Sequence, residues 1–350
     1  MWSTNDRRFR RMAKLAGTGI AALGLVALVT AWAQAPNQYE TALRAAYAKF
    51  KDLHEGKNAD YIPALAKVDP NLFGIALVTT NGKVYTTGDV KGEVSIQSIS
   101  KVFTLAKVLE ESGEAAVVDN IGVDPTGQAF NSIVAIEQYK GKEMNPFVNP
   151  GAITATSMIK GATPDAIFAK IIGTYSDFAG RQLSVNQEVY KSEAETNQRN
   201  QAIAELMHAY GRIKDNPKQA TDLYTRQCAV NVNARDLAIM AATLANGGTN
   251  PVTGKHVMDA KHVPPLLSVM AIAGLYDDSG KWLFATGLPA KSGVGGGIIA
   301  VSPGKFGIAV ISPPLDQAGN SVRAQKAITD ISNAVHGNPY SVETAAPKTN

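Results

Sequence analysis

The stretch GGGIIAVSPGKFGIAVISPP, residues 295–314, contains two short apolar runs separated by Gly304-Lys305. Runs of this length around a turn predict a β-hairpin. Residues 72–89, LFGIALVTTNGKVYTTGD, show a similar pattern near the other end of the chain. The pair Asn81-Gly82 within it accepts the positive φ angles of a type I′ turn, which predicts a second hairpin. Strand signals therefore lie at both ends of the chain.

Helical patterns occupy the ends and the long middle of the chain. Apolar residues recur at spacings of three and four in residues 38–51, in 100–111, in three segments between 119 and 265, and in 320–335. Gly113 lies just beyond the second pattern, and Gly247-Gly248 suits a left-handed cap for the last middle helix. We therefore expect an α+β fold with one antiparallel sheet assembled from both ends, flanked by the terminal helices, with a helical subdomain inserted at about 119–265.

The formal charge of +4 over 350 residues comes entirely from the first 36 residues. That segment contains five basic side chains and one acidic side chain, so the remainder is neutral. Phosphate binding requires a concentrated basic face. The composition therefore argues against nucleic acid as a partner.

The N-terminal segment has the three parts of an export signal. RRFRRMAK is a basic region, residues 16–30 are apolar, and AWAQA provides small residues for cleavage after Ala33 or Ala35. We predict a signal peptide at 1–35, a catalytic domain at 36–340, a disordered tail at 341–350 and a periplasmic or secreted protein without a stable membrane span after cleavage. The alternative is an uncleaved signal that anchors the chain to the membrane.

Ser98 precedes Lys101 by three residues at the start of the helical pattern in IQSISKVF, residues 96–103. A serine hydroxyl needs a base to become a nucleophile, and a buried lysine of lowered pKa can serve as that base. Ser-x-x-Lys alone is a weak signal, because such pairs often occur by chance. Ser100 is better interpreted as a capping or first-turn residue, although it stays a minor rival for the nucleophile.

Neither the single cysteine nor the histidines predict a second kind of site. Cys228 lies in the apolar segment YTRQCAVNV and is interpreted as a buried structural thiol. It has no second cysteine with which to form an intramolecular disulfide. The five histidines form no HExxH pattern, so the sequence suggests no metal site and no cofactor.

Lys291-Ser292-Gly293 lies immediately before the late strand pair, in LPAKSGVGGGIIAV. An early Ser-x-x-Lys combined with a late Lys-Ser-Gly on an edge strand is the signature of the β-lactamase and penicillin-binding class of serine enzymes. In that class, a backbone N–H of the edge strand helps to bind the oxyanion. The combination predicts a β-lactamase-like fold and acyl-enzyme chemistry.

Further segments resemble one family, the serine-dependent glutaminases of bacterial type. They follow one another over roughly residues 55–335, and they are ADYIPALAKVDP, TTGD, IQSISKVF, DPTGQAFNSI, NPFVNPGAI, SEAETNQRNQAIA, YTRQCAVNV, MAATLANGGTNPVTG, GLYDDSGKW, GLPAKSGVGGGI and ISPPLDQAGNSV. The resemblance implies hydrolysis of L-glutamine to L-glutamate and ammonia, without a cofactor, in a homodimer or homotetramer.

The resemblance also implies roles for individual residues. Ser98 is the nucleophile and Lys101 its base, Tyr276 is a proton shuttle, and the backbone N–H groups of Ser98 and Val294 form the oxyanion hole. Ser98, Tyr276 and Val294 are also expected to contact the substrate.

Five further residues are substrate contacts by the same resemblance. Glu193 faces the α-ammonium of the substrate, Asn149 and Asn200 suit its carboxylate, Tyr61 lies beside the nucleophile and Tyr224 lines the pocket. Taken singly, each has an ordinary structural interpretation, and their ordered occurrence favours the functional one.

Two features depart from the family, and two other functions stay open. Pro150 replaces the alanine of the usual VNAGAI, and the export signal differs from relatives that work inside cells. The first alternative function is a β-lactamase or cell-wall peptidase. The chain lacks the Ser-Asp-Asn segment that this class requires, and the nearest match is YSDF at 175–178. The second is a periplasmic receptor without chemistry, against which the intact Ser98 and Lys101 argue.

Overall fold

The computed structural model describes residues 37–142 and 144–342, with a five-stranded antiparallel sheet as its central element. The strands are β1 (Gly74–Thr79), β2 (Val84–Gly88), β3 (Val94–Ser95), β4 (Asn231–Val232), β5 (Ala290–Gly293), β6 (Gly297–Ser302) and β7 (Phe306–Ile311). The large sheet has the order β2-β1-β7-β6-β5. Because β1 pairs with β7, the sheet is assembled from both ends of the chain, which confirms the predicted architecture.

Helices surround this sheet and fill the middle of the chain. They are α1 (Gln38–Phe50), α2 (Pro63–Ala66), α3 (Ser100–Asn120), α4 (Ile133–Tyr139), α5 (Asn149–Ser157), α6 (Pro164–Ala179), α7 (Gln187–Thr196), α8 (Gln198–Ala209), α9 (Pro217–Cys228), α10 (Ala234–Ala245), α11 (Val263–Ala273), α12 (Ser279–Thr286) and α13 (Val322–Ala334). The predicted helices are all present, and the middle of the chain is helical. The subdomain boundaries at about 119 and 265 stay a prediction.

The large sheet is covered on both faces. Helices α1 and α13 pack on one face, and α10 packs on the other. Successive residues of β1 serve the two cores alternately: Ile75 packs with α1 and α13, whereas Ala76 packs with α10. A Cβ on Gly307 of β7 would lie 2.1 Å from the backbone nitrogen of Ala242, so only glycine allows α10 to approach this closely.

One local detail agrees with the sequence prediction and one differs. Gly113 lies just beyond the helical stretch that begins at Ser100, because its φ of 78° and ψ of 175° are not helical, and a second helical stretch of α3 follows it to Asn120. In the first hairpin, Gly82 alone among the loop residues 80–82 has positive φ, and its N–H donates to the carbonyl of Thr79. The turn is therefore type I with a glycine bulge, and the predicted type I′ turn is wrong.

The predicted signal peptide and most of the predicted tail lie outside the described residues. The signal occupies 1–35 and the tail 341–350, whereas the description begins at 37 and ends at 342. Within the described range, no helix combines the length and apolar character needed to cross a bilayer.

Candidate active site

Ser98 lies in a short turn between the small sheet and helix α3. Strand β3 pairs with β4, and the N–H of Ile96 donates to the carbonyl of Val230 at 2.8 Å. Residues Gln97–Ile99 then form one 3₁₀ turn that leads directly into α3. Ser98 is 7% exposed, so its hydroxyl lies at the floor of the site and not on the open surface.

Lys101 lies in the first turn of α3 and is buried. Its Nζ donates to the carbonyl of Phe147 at 3.2 Å and to Oδ1 of Asn149 at 2.8 Å. Burial disfavours the ammonium and lowers the pKa of Lys101 to about 8, although electrostatic interactions with Cys228 and Glu193 oppose this. A substantial fraction of Lys101 is therefore neutral near physiological pH.

Asn149 connects Lys101 to two other predicted residues. The hydroxyl of Tyr224 donates to Oδ1 of Asn149 at 3.2 Å, and Nδ2 of Asn149 donates to Oδ1 of Asn200 at 2.9 Å. Asn149 and Tyr224 are buried and Asn200 is half-buried. Pro150, which departs from the family pattern, lies in the first turn of α5, where a backbone N–H has no helical acceptor. Pro150 therefore costs α5 no helical hydrogen bond.

Glu193 places a carboxylate in the same buried region. Nε2 of Gln97 donates to its Oε2 at 3.1 Å, and Gln97 also donates to Oγ of Ser95 at 3.2 Å. Burial raises the pKa of Glu193 to about 7, while the hydrogen bond from Gln97 and the charge of Lys101 oppose the rise. In the described structure, Gln97 is the one side chain that donates to this carboxylate, so Glu193 retains capacity for a further donor.

Tyr276 approaches Ser98 from the side of the sheet. Burial raises the pKa of Tyr276 to about 12, and hydrogen bonding to Ser98 and Ser292 opposes the rise. Its hydroxyl donates to the carbonyl of Ser292 at 3.5 Å. Nζ of Lys291 lies 4.3 Å from the centroid of this ring and donates to the carbonyls of Gly274 and Ser292 at 2.9 and 2.7 Å. Burial, and then the charge of Lys101, lower the pKa of Lys291 well below that of an ordinary lysine.

Val294 directly follows strand β5, the edge strand of the large sheet. The backbone there packs against the turn that carries Ser98. A Cβ on Gly293 would lie 2.8 Å from the carbonyl oxygen of Ile96 and 3.3 Å from the backbone nitrogen of Ser98. The missing side chain therefore lets the edge strand approach the nucleophile turn, which is the approach that a shared oxyanion hole requires.

Tyr61 lies at the outer edge of the site. It is 57% exposed, yet burial of its hydroxyl raises the pKa, and the nearby Tyr276 and Glu193 raise it further. Tyr61 also lines an open cleft of about 690 Å³, together with Val294 and Phe130. The inner part of the site is thus closed and polar, whereas its outer part opens beside Tyr61.

The rival nucleophiles lie in less suitable positions. Ser100 is 0% exposed, and its Oγ faces Sγ of Cys228 at 3.9 Å. It begins α3 as predicted, although its side chain makes no capping hydrogen bond. Cys228 is a buried free thiol, and burial raises its pKa to about 12, so it stays protonated. Both are structural neighbours of the site, as the sequence indicates.

Sequence patterns do not reveal how the side chains of Gln97 and Lys291 contribute to this geometry. Gln97 has φ +48° and Tyr276 has φ +53°, and both are rare backbone conformations for residues other than glycine. The roles of Gln97 as the donor to Glu193, and of Lys291 as the amine beside the Tyr276 ring, depend on contacts between distant segments. The described residues show no group of three or more His, Cys, Asp or Glu side chains placed to hold a metal ion.

Comparison with known proteins identifies similar chains and folds. A family model described as glutaminase matches residues 56–340. A glutaminase of Colwellia psychrerythraea is 53% identical over 310 residues, which cover 88% of this chain and 100% of that protein.

Two solved structures are also similar. One, described as the probable glutaminase YbaS, has a TM-score of 0.86 and 46% identity, covering 88% of this chain and 99% of that one. The other, Mglu in its glutamate form, has a TM-score of 0.83 and 36% identity, covering 88% of this chain and 71% of that one. These similarities confirm the predicted α+β fold.

Proposed function

The chain belongs to the glutaminase family and hydrolyses L-glutamine to L-glutamate and ammonia, and we propose that it does so through an ester of glutamate on Ser98. The observation that carries this mechanism is the environment of Lys101. A buried lysine with a pKa of about 8 lies three residues after a serine at the floor of the site. This is the arrangement that serine activation by a neutral amine requires.

The hydrogen bonds of Lys101 leave one position for the proton of Ser98. A neutral amine has two N–H donors and one lone pair. The carbonyl of Phe147 and Oδ1 of Asn149 accept the two donors. The lone pair is then free to accept the hydroxyl proton of Ser98 as Oγ attacks the γ-carbonyl carbon of glutamine. Asn149 therefore orients the base in addition to any contact with substrate.

The attack places negative charge on the carbonyl oxygen, and the backbone N–H groups of Ser98 and Val294 stabilise it. Such fixed donors are worth about 2.7–4 kcal/mol each in comparable enzymes. The close approach of Gly293 to the nitrogen of Ser98 supports this assignment. The oxyanion hole forms only in the folded chain, because one N–H group comes from the turn before α3 and the other from the residue after β5.

The α-amino and α-carboxylate groups of glutamine are recognised in the closed inner part of the site. Glu193 pairs with the ammonium, since its buried carboxylate has one donor partner in the described structure. Asn149 and Asn200 keep amide N–H groups that can donate to the carboxylate, and the hydroxyl of Tyr224 holds Asn149 in place by donating to its Oδ1. Tyr61 closes the outer side.

Tyr276 transfers the proton to the departing nitrogen. Burial raises the pKa of Tyr276 and hydrogen bonding to Ser98 opposes the rise, so its hydroxyl lies near the reacting serine. The γ-carbon–nitrogen bond breaks, ammonia leaves and the ester stays on Ser98. Lys101 then passes the proton that it took from Ser98 back to Tyr276, so both groups return to their starting forms. Water attacks the ester with neutral Lys101 as base, and Lys101 gives that proton to Oγ of Ser98 as glutamate leaves.

The β-lactamase alternative is not favoured, because the family model and the similar proteins carry glutaminase names. Ammonia release from glutamine and nitrocefin hydrolysis, measured side by side, test this directly. Glutamine hydrolysis lost in Ser98→Ala, retained in Ser100→Ala and accompanied by no lactam turnover is the expected result. Ammonia release that survives in Ser98→Ala would remove Ser98 from the mechanism.

We further propose that the chain is exported and works as a homo-oligomer outside the cytoplasm. The basic, apolar and small-residue parts of residues 1–35 support export, and the alternative is an uncleaved membrane anchor. N-terminal sequencing of the protein recovered from the periplasm tests cleavage after Ala33 or Ala35. Light scattering of the purified protein tests for a dimer or tetramer, and a monomeric mass would refute the oligomer.

A further inference from the structure

Tyr276 has a backbone conformation that is rare for residues other than glycine. Its φ of +53° lies in the left-handed region, and it begins the single 3₁₀ turn Tyr276–Asp278 that leads into α12. Such angles persist in residues with a side chain only where the surrounding structure fixes them. The groups that fix this backbone therefore decide where the Tyr276 side chain points.

The start of this segment is fixed to the edge strand β5. The N–H of Ser292 donates to the carbonyl of Gly274 at 3.2 Å. A Cβ on Gly274 would lie 1.7 Å from the carbonyl oxygen of Ala290, so the backbone passes directly against the strand. These contacts determine where the segment crosses β5, but they do not fix the backbone angles of the two residues that follow Gly274.

The hydroxyl of Ser279 fixes those angles from both sides. Its Oγ accepts a hydrogen bond from the N–H of Leu275 at 3.0 Å and donates to the carbonyl of Tyr276 at 2.8 Å. Along the chain, the φ angle of Tyr276 lies between these two bonded groups, so rotation about it would break one of the hydrogen bonds. Ser279 is 4% exposed, so a broken bond is not readily replaced by one to water.

We propose that Ser279 is a positioning residue for the reaction, and that it directs the hydroxyl of Tyr276 toward Ser98 through these two hydrogen bonds. The inference rests on the proposed function, because it concerns the proton that Tyr276 gives to the leaving nitrogen. A serine hydroxyl has one proton, and that of Ser279 is donated to the Tyr276 carbonyl. Ser279 therefore acts on the reaction through Tyr276 and not by donating to the substrate.

Steady-state kinetics of the full chain with glutamine test the proposal in Ser279→Ala, in Tyr276→Phe and in the double variant. Ser279→Ala should lower kcat about 5–30-fold and change KM by less than about twofold, because losing the two hydrogen bonds reduces the fraction of molecules in the productive conformation. In a Tyr276→Phe background the same substitution should change kcat by less than about twofold, because the hydroxyl that Ser279 positions is already absent. A smaller loss in the first case, or a larger one in the second, would overturn the inference.

Thr286→Val, on the same helix, is the matched control for stability. Oγ1 of Thr286 is 0% exposed and also joins two backbone groups, since it accepts from the N–H of Leu288 at 3.1 Å and donates to the carbonyl of Trp282 at 3.0 Å. Thr286→Val removes a similar pair of bonds away from Tyr276 and should change kcat by less than about twofold. A loss of kcat equal to that of Ser279→Ala would mean that general destabilisation explains both, which would overturn the positioning role.

Two further variants complete the test. Ser279→Cys, whose thiol is a weak donor, replaces Ser279→Ala if the latter does not fold, and its kcat should fall in the same way. Failure of the proposed function is recognised separately from failure of this inference. A normal kcat in Tyr276→Phe would refute the proton shuttle itself and with it the role of Ser279, and ammonia release that survives in Ser98→Ala would refute the ester mechanism.

Discussion

Raising the pH from 6 to 9 is expected to increase kcat/KM for glutamine steeply, because two buried groups must each lose a proton before reaction. Burial lowers the pKa of Lys101 to about 8, and Lys101 must be neutral to accept the proton of Ser98. Burial raises the pKa of Glu193 to about 7, and Glu193 must be charged to pair with the substrate ammonium. Loss of a proton from Lys101 and loss of a proton from Glu193 therefore each increase kcat/KM as the pH rises.

The two pKa values determine the size of the effect. At pH 7, a lysine with a pKa of about 8 is neutral in roughly one molecule in 11, against roughly one in 2,500 for an ordinary lysine. Burial therefore supplies about 200-fold more active base. Between pH 9 and pH 6, the competent fractions of the two groups together fall by about three orders of magnitude. A logarithmic plot of kcat/KM against pH should approach a slope of about 2 below pH 7.

The substitution Glu193→Gln provides the critical comparison. It removes one titration, so the slope at low pH should fall to about 1. It also removes a negative charge that raises the pKa of Lys101, so the remaining midpoint should move below about 8. Glu188→Gln, on the exposed first turn of the same helix, is the matched control and should leave the profile unchanged. A wild-type slope of 1 or less, or a midpoint that moves upward in Glu193→Gln, would refute the reasoning.

Three further substitutions test separate parts of the site. Asn149→Asp should shift the pH midpoint of kcat/KM upward by about 1–3 pH units, because a carboxylate 2.8 Å from Nζ favours the ammonium of Lys101; a profile that stays in place would contradict the hydrogen-bond argument. Tyr276→Phe should lower kcat by about 10²–10⁴-fold with little change in KM, since it removes proton transfer; a normal kcat would exclude the shuttle. Gly151→Ala should destabilise the fold by about 1–3 kcal/mol in denaturant unfolding, because its Cβ would lie 2.0 Å from the carbonyl oxygen of Asn145; unchanged stability would show that α5 can move away.

The overall architecture follows from the sequence because its signals are periodic and local. The short apolar runs in 74–79 and 297–311 predict strands, and the three-four spacing in 100–111 predicts the start of α3. Details that depend on a single backbone angle are harder to predict from the sequence. Gly113 ends the first helical stretch of α3 as predicted, whereas Asn81-Gly82 forms a bulged type I turn, because Asn81 does not adopt the positive φ that a type I′ turn requires.

The site likewise has residues that the sequence indicates and contacts that it does not predict. Ser-x-x-Lys and Lys-Ser-Gly are local motifs, so the sequence indicates Ser98 and Lys101 directly. Contacts between segments that are distant in the chain produce the lowered pKa of Lys101, the hydrogen bond between Gln97 and Glu193, and the position of the Lys291 amine beside Tyr276. The amphipathic pattern of a helix shows which residues are buried but not which acceptors they meet. Those partners could be identified only in the folded structure.

The central claim is that glutamate becomes an ester on Ser98 during turnover. Rapid acid quench of the enzyme with saturating glutamine, followed by peptide mass spectrometry, tests it most directly. Tyr276→Phe and Lys101→Ala, run in parallel, report whether the adduct depends on proton transfer. The account predicts a glutamyl adduct on the peptide that contains Ser98, appearing before steady state and absent from Ser98→Ala. Glutamate that accumulates while this peptide stays unmodified, or an adduct on another residue, would contradict it.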